Sequence, residues 1–256
     1  MFFLSLNVNI FGLEMNKLFK SLYCLFVVFS LPLSAQTEVE EELSRIPDSV
    51  PFIIDSLYRE DQFYVGLTFN LISNKPNAIS QSGFSGGIHA GFTRDFPLNK
   101  RRNVAIAFGL GWSLNSYSQN LFIGEDEAGE SVFRELTNNI DYSTNRFTTQ
   151  LVEAPLEFRW RTSTAETYKF WRIYTGLRLG YIYHFKSNFV QPNNRVVQTN
   201  VPELDRFRVG ATFTFGYNTF NFHIYYSLNS LFPDASLNGE SIDISVFRAG
   251  LMFYIL

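Results

Sequence analysis

Between Phe63 and the last residue, apolar and polar positions alternate. Phe63, Val65, Leu67, Phe69 and Leu71 are interleaved with Tyr64, Gly66, Thr68 and Asn70, so an extended strand there has one wholly apolar face and one small or polar face. The same period of two recurs over Phe84–Thr93, Val104–Asn115 and Phe147–Arg161, then over Trp171–His184, Arg206–Tyr217, Phe220–Leu228 and Ile242–Leu256. A helix would scatter the polar partners around its axis; only a strand keeps them on one side. In the last segment Phe247, Ala249, Leu251, Phe253 and Ile255 share a face, with Arg248, Gly250 and Tyr254 on the other.

Eight strands of about ten residues each match the length that a tilted strand needs to cross a bilayer. The links follow the same plan. Pro97–Arg102, Thr162–Tyr168 and Asn218–Thr219 are short, whereas Ser73–Gly83, Ser116–Arg146, Lys186–Asp205 and Ser230–Ser241 are longer, an asymmetry of short periplasmic turns and long extracellular loops. The pattern predicts an all-β fold, an eight-stranded antiparallel transmembrane outer-membrane β-barrel with both termini periplasmic. Its apolar face meets lipid, and small inner residues (Ala105, Gly109, Gly111, Gly176, Gly180, Gly210) leave room for inward Arg and Tyr. Tyr64, Trp112, Trp160, Trp171, Tyr183 and Tyr217 are candidate interfacial girdle residues. Pro155 is tolerable if it sits at a bulge. A soluble, lipocalin-like barrel would carry the inverse arrangement, apolar inside.

An export signal supports the membrane reading. Met15-Asn-Lys-Leu-Phe-Lys20, the apolar stretch Leu22–Leu33 and Ser34-Ala35 form the charged, apolar and cleavage regions of a secretory signal, with Met1–Glu14 read as leader from an upstream start. The domain reading is therefore 1–35 leader and signal peptide, 36–61 acidic periplasmic linker, and 62–256 barrel. Cys24, the single cysteine, lies inside the signal in a poor lipobox context, which excludes a disulfide framework. Composition agrees: 18% charged, 17% aromatic with 28 Phe and 13 Tyr, and a net charge of −3 that leaves no nucleic-acid footprint.

By parity Arg159, Arg161, Arg172, Arg178, Arg206, Arg208 and Arg248 face the lumen, with Glu157, Asp95 and Asp243 as acidic partners. The candidate lumen charge network is Glu157, Arg159, Arg172, Arg178, Arg208 and Arg248, with Glu157 and Arg178 expected to meet across adjacent strands. Surplus lumen cations are costly unless paired or wet; acidic elements at Glu38–Glu42 or Glu125–Glu130 could answer them. His89, His184 and His223 also fall on the polar face, on three different strands, which does not make a metal site. His184 with Ser187 is the one local pair that a hydrolase could use. No catalytic, cofactor or metal residue is assigned, and eight strands are too few for a water-filled pore.

Arg248, Gly250, Phe253 and Ile255 resemble the β-signal read by the barrel assembly machinery. Gln150–Trp160 (QLVEAPLEFRW) and Trp171–Tyr181 (WRIYTGLRLGY) resemble two consecutive strands of the PorT-like outer-membrane barrel family of Bacteroidota. That resemblance implies a non-enzymatic structural or assembly component of type IX protein secretion and gliding motility. Its partners would be outer-membrane lipid, the assembly machinery and other type IX secretion components. The alternatives are a stand-alone outer-membrane barrel with surface-binding extracellular loops and, behind it, a lipid-modifying outer-membrane enzyme.

Overall fold

The computed structural model describes residues 61–137, 139–164 and 169–255. The expected signal peptide with Cys24, and the linker as far as Glu60, lie outside them. The strands in chain order are β1 Gln62–Ser73, β2 Gly86–Pro97, β3 Val104–Ser118, β4 Leu121–Glu125, β5 Ser131–Glu135, β6 Thr144–Arg161, β7 Trp171–Gln191, β8 Asn194–Gln198, β9 Phe207–Tyr217, β10 Phe220–Ser227, β11 Ser236–Leu237, β12 Glu240–Ser241 and β13 Ser245–Ile255. Eight of them (β1, β2, β3, β6, β7, β9, β10 and β13) pair antiparallel in succession, and the β6–β7 and β1–β13 ladders close the ring. Closure gives every barrel strand two neighbours, the arrangement that lipid requires of backbone polar groups.

The alternation sets which way each face points. Phe63, Leu67, Phe108, Leu156, Phe158, Leu177, Phe213 and Phe222 are exposed on the outer wall, while Asn70, Ser113, Glu157, Arg178, Thr214 and Arg248 are buried inside it. Trp160, Trp171 and Tyr217 ring the end that carries the short turns, and Trp112 and Tyr183 lie towards the long loops. Tyr64 departs from its girdle assignment: it occupies an even, inward position of β1 and is 2% exposed in the lumen. Three strands begin later than their alternation suggested, β9 by the single residue Arg206. Phe84 precedes β2 and stays exposed on the outside, and Ile242 and Ile244 precede β13 and are fully buried.

The irregularities lie elsewhere than proline suggested. The β3–β6 register runs unbroken past Pro155, from Phe108↔Leu156 to Gly111↔Glu153, with only the rungs between them missing. Proline lacks an N–H, so it drops a ladder bond there without inserting a residue. The bulge is at Tyr183 instead, because Gln150 faces His184 while Leu151 faces Ile182. One extra residue inverts the parity of everything beyond it. Hence Phe185, Ser187 and Phe189 point inward, whereas His184 is exposed on the outer wall and leaves the polar lumen face where parity had put it.

Beyond the bulge the interior changes character. Ile72, Tyr117, Phe147, Leu151, Ile182, Phe185 and Val246 from the walls pack with Ile79, Leu121, Ile123, Val201, Leu231, Phe232, Ile242 and Ile244 from the long connections. This apolar core caps the barrel at the long-loop end. The link expected between Ser116 and Arg146 folds as the β4–β5 hairpin, whose tip is tied by Asp126 accepting bonds from the Ala128 and Glu130 amides. The β11–β12 hairpin turns on Asn238 and Gly239, both at positive φ (53° and 84°), as a two-residue primed turn requires.

Candidate functional site

The lumen below the apolar cap is the chemically densest region. Six arginines (159, 161, 172, 178, 208 and 248) and three carboxylates (Asp95, Glu153 and Glu157) are buried there, among the described residues. They stand on the inward face of β2, β6, β7, β9 and β13 because each occupies the polar phase of its strand. Charges held this deep persist only where geometry supplies partners.

At the short-turn end Arg159 is the best-served cation. Its Nη1 donates to Asp95 Oδ1 at 2.7 Å, its Nη2 to Glu157 Oε2 at 2.8 Å and to Thr93 Oγ1 at 2.7 Å, and the guanidinium lies 4.5 Å from the Tyr174 ring centroid. Arg161 pairs with the other oxygen of Asp95 and donates to the Arg102 carbonyl at 3.0 Å. Arg172 has no carboxylate within ion-pairing distance among the described residues; it donates to the Asn218 carbonyl and lies over Phe170.

Higher up, Glu153 is the hub. Arg178 Nη1 and Arg248 Nη1 each approach it at 3.4 Å, from β7 and β13 respectively. The expected pair of Glu157 and Arg178 does come together, but as a longer 3.7 Å contact without a hydrogen bond; Glu157 is bound chiefly by Arg159. Glu153 has the parity of Glu157, four residues away on β6, and that signal alone would have identified it. Arg248 also covers the Tyr225 ring at 3.6 Å and donates to Asn115 at 3.3 Å. Tyr64, under Arg178, owes its place to Gly111: a Cβ there would lie 2.0 Å from the Tyr64 hydroxyl oxygen.

The remaining expected positions separate. Arg208 reaches the cap, donating to the carbonyls of Ser230 at 2.6 Å and Asn229 at 2.7 Å, so it fastens a loop and has no acid partner among the described residues. Arg206 is only half-buried at the rim and donates to the Ile182 carbonyl, because β9 begins one residue after it. Asp243 is exposed, since β13 begins beyond it. Of the acidic elements that could have answered the lumen cations, Glu125–Glu130 is an exposed hairpin tip, and Glu38–Glu42 lies outside the described residues. His89 and His223 are buried inside against the hydroxyls of Thr68 (2.9 Å) and Thr214 (2.7 Å), apart from His184 on the outer wall. His184 and Ser187 lie on opposite sides of that wall, so this pair does not meet. Gly250 faces inward on β13 and Ile255 outward, with Phe253 half-exposed on the outer face.

Between the charge network and the cap is a cavity of about 20 Å³, lined among others by Asn115, Tyr117, Arg208, Tyr225 and Arg248. That holds a water-sized group and no more. Guanidinium–carboxylate pairs, aromatic rings and the cap fill the cross-section of the barrel.

The pattern of the family described as outer membrane protein beta-barrel domain matches residues 35–233. No curated protein matches the chain. Among solved structures, two of Ail, the attachment invasion locus protein of Yersinia pestis, are similar. The one in complex with the heparin analogue sucrose octasulfate aligns at 13% identity over 77% of this chain and 99% of that one, with a TM-score of 0.31. The other aligns at 10% identity over 76% and 97%, also with a TM-score of 0.31.

Proposed function

The chain belongs to the outer membrane protein beta-barrel domain family, and from that premise we propose that it is a non-conducting, non-enzymatic scaffold that serves type IX secretion and gliding motility through protein contacts at its rim. The observation that carries the reading is the filled lumen. With Glu153, Glu157 and Asp95 bridging arginines across the barrel and an apolar cap above them, cargo has no path through it. A role in secretion then falls to the rim and outer wall, as a structural or assembly component. The resemblance of Gln150–Trp160 and Trp171–Tyr181 to PorT-like strands supports the choice of secretion system. Both termini face the periplasm and the long loops face outward. Deleting the gene should abolish secretion of cargo bearing C-terminal sorting domains, together with gliding; normal secretion in the deletion strain would overturn the reading. An Ala128→Cys variant in intact cells should react with a membrane-impermeant maleimide, which tests the orientation separately.

A second reading rests on the crown itself. The β4–β5 hairpin is seated on the apolar core through Leu121 and Ile123 and holds an exposed acidic tip, Glu125–Glu130, away from the barrel. A stand-alone barrel that binds external surfaces would use such a tip. Replacing residues 126–130 with a glycine–serine turn would then abolish surface attachment and leave secretion intact.

A further inference from the structure

The outer wall carries one feature that lumen chemistry does not explain. On the lipid-facing side Trp112 Nε1 donates to Tyr183 Oη at 2.7 Å, and Tyr183 donates to Gln150 Oε1 at 2.7 Å. This polar chain spans β3, β6 and β7 at the height where aromatic and amide groups meet the membrane interface. Above it, on the same outward face, stand Lys186 opposite Thr148, Arg146 opposite Asn188, and Arg195, whose Nε donates to Asn188 Oδ1 at 3.1 Å. None of the ion pairs among the described residues involves these three cations. Arg146 faces outward by the unbroken parity of β6, and Lys186 because the Tyr183 bulge sets its stretch of β7 over; in a regular β7 Lys186 would point at the apolar cap.

Below the polar chain the wall is indented. Ala154, small and outward, floors an open groove of about 280 Å³ with Leu110, Val152, Leu179, Tyr181 and Phe207 at its sides. Across the ridge of Leu110 and Trp112 a second open groove of about 470 Å³ lies over Ala90 and Gly91. Two neighbouring apolar grooves suit more than one acyl chain. Spacing agrees: Lys186 is two residues beyond His184, or about 5 Å of height for a strand tilted by about 45°, and Arg146 is about 10 Å above Gln150. The headgroup layer begins at that level.

We propose that this wall is a binding site for a phosphate-bearing, multiply acylated lipid of the outer leaflet, with Arg146, Lys186 and Arg195 on the phosphates and the two grooves on the acyl chains. The assignment rests on the orientation proposed above, with the long loops outside. Purified barrel in a neutral detergent, titrated with diphosphoryl lipid A and followed by native mass spectrometry, should retain the lipid. Dephosphorylated lipid A and phosphatidylglycerol should bind at least about tenfold more weakly. An Arg146→Gln, Lys186→Gln double variant should lose roughly 10- to 30-fold in affinity, as two cations at a membrane surface imply. Ala154→Trp, which fills one groove and keeps every charge, should weaken binding too. Both variants must first show the heat-dependent gel shift of a folded barrel. Equal retention by wild type and the double variant, or equal affinity for phosphorylated and dephosphorylated lipid A, would overturn the site. Equal affinity for phosphatidylglycerol would overturn the choice of an outer-leaflet lipid. The titration does not depend on orientation, so a failed maleimide experiment and a failed titration are separate outcomes.

Discussion

Among individual residues, Glu153 and Glu157 are not equivalent, although both are buried carboxylates on one face of β6. Removing Glu157 leaves Arg159 still paired with Asp95, whereas removing Glu153 leaves Arg248 with no carboxylate partner among the described residues. A stranded buried charge costs about 3–5 kcal/mol, less where water reaches it. Glu153→Gln should therefore destabilise the barrel more than Glu157→Gln, and both more than Glu130→Gln at the exposed hairpin tip, as read by denaturant unfolding in detergent. Adding Arg248→Met to Glu153→Gln should cost less than the sum of the two single changes, because the stranded charge goes with it. Packing yields a second test. Gly111→Ala drives its methyl into the Tyr64 hydroxyl, an overpacking worth about 1–3 kcal/mol, and Tyr64→Phe in the same chain should recover part of that loss. A Gly111→Ala protein of unchanged stability would show that Tyr64 moves aside freely.

For whole elements, the strands were legible because alternation is a strictly local signal that lipid enforces on one face. Outward Leu177 is held to that signal: Leu177→Arg should cost about 2–4 kcal/mol near the bilayer midplane, measured by unfolding in lipid vesicles. What alternation could not show is where it breaks. Nothing in Tyr181-Ile182-Tyr183-His184 distinguishes a bulge from two more alternating positions, since tyrosine suits either face, and so His184 was read on the wrong side. The cap was illegible for a different reason. Ile79, Leu121, Phe232 and Ile242 come from separate loops with no common period, and only the closed barrel beneath brings them together. Arg159, Arg161, Arg172, Arg178, Arg208 and Arg248 are buried inside the wall, whereas Arg206 is half-buried and the acidic Asp243 exposed because both lie just outside the ladder. Deleting Tyr183 should remove the bulge and leave Phe185 and Phe189 inward, because Ile182, His184 and Phe185 then alternate in the register that already pairs them with Leu151, Gln150 and Thr149. The cap then stays seated, so limited proteolysis should cut the β4–β5 and β11–β12 hairpins no faster than in the parent protein, and rapid cleavage there would show that the bulge itself is needed to seat it.

For the molecule as a whole, the filled lumen predicts electrical silence: protein reconstituted in a planar bilayer should give no discrete conductance steps, and regular openings would mean that the Glu153 network yields. The β1–β13 seam has a further consequence, in the order of events. It joins Phe63 to Ile255, positions 255 − 63 = 192 apart, whereas each of the other seven seams joins barrel strands that are successive along the chain. Bringing such distant segments together is slow, since the chain must surrender freedom before the contacts repay it. Of the eight barrel strands β13 comes last in chain order, so until it arrives a sheet of the other seven would have both edges open. Unpaired edges invite association with other chains. Escort through the periplasm must therefore last until β13 arrives, and a message cut short before Ser245 should yield aggregate, not a smaller barrel.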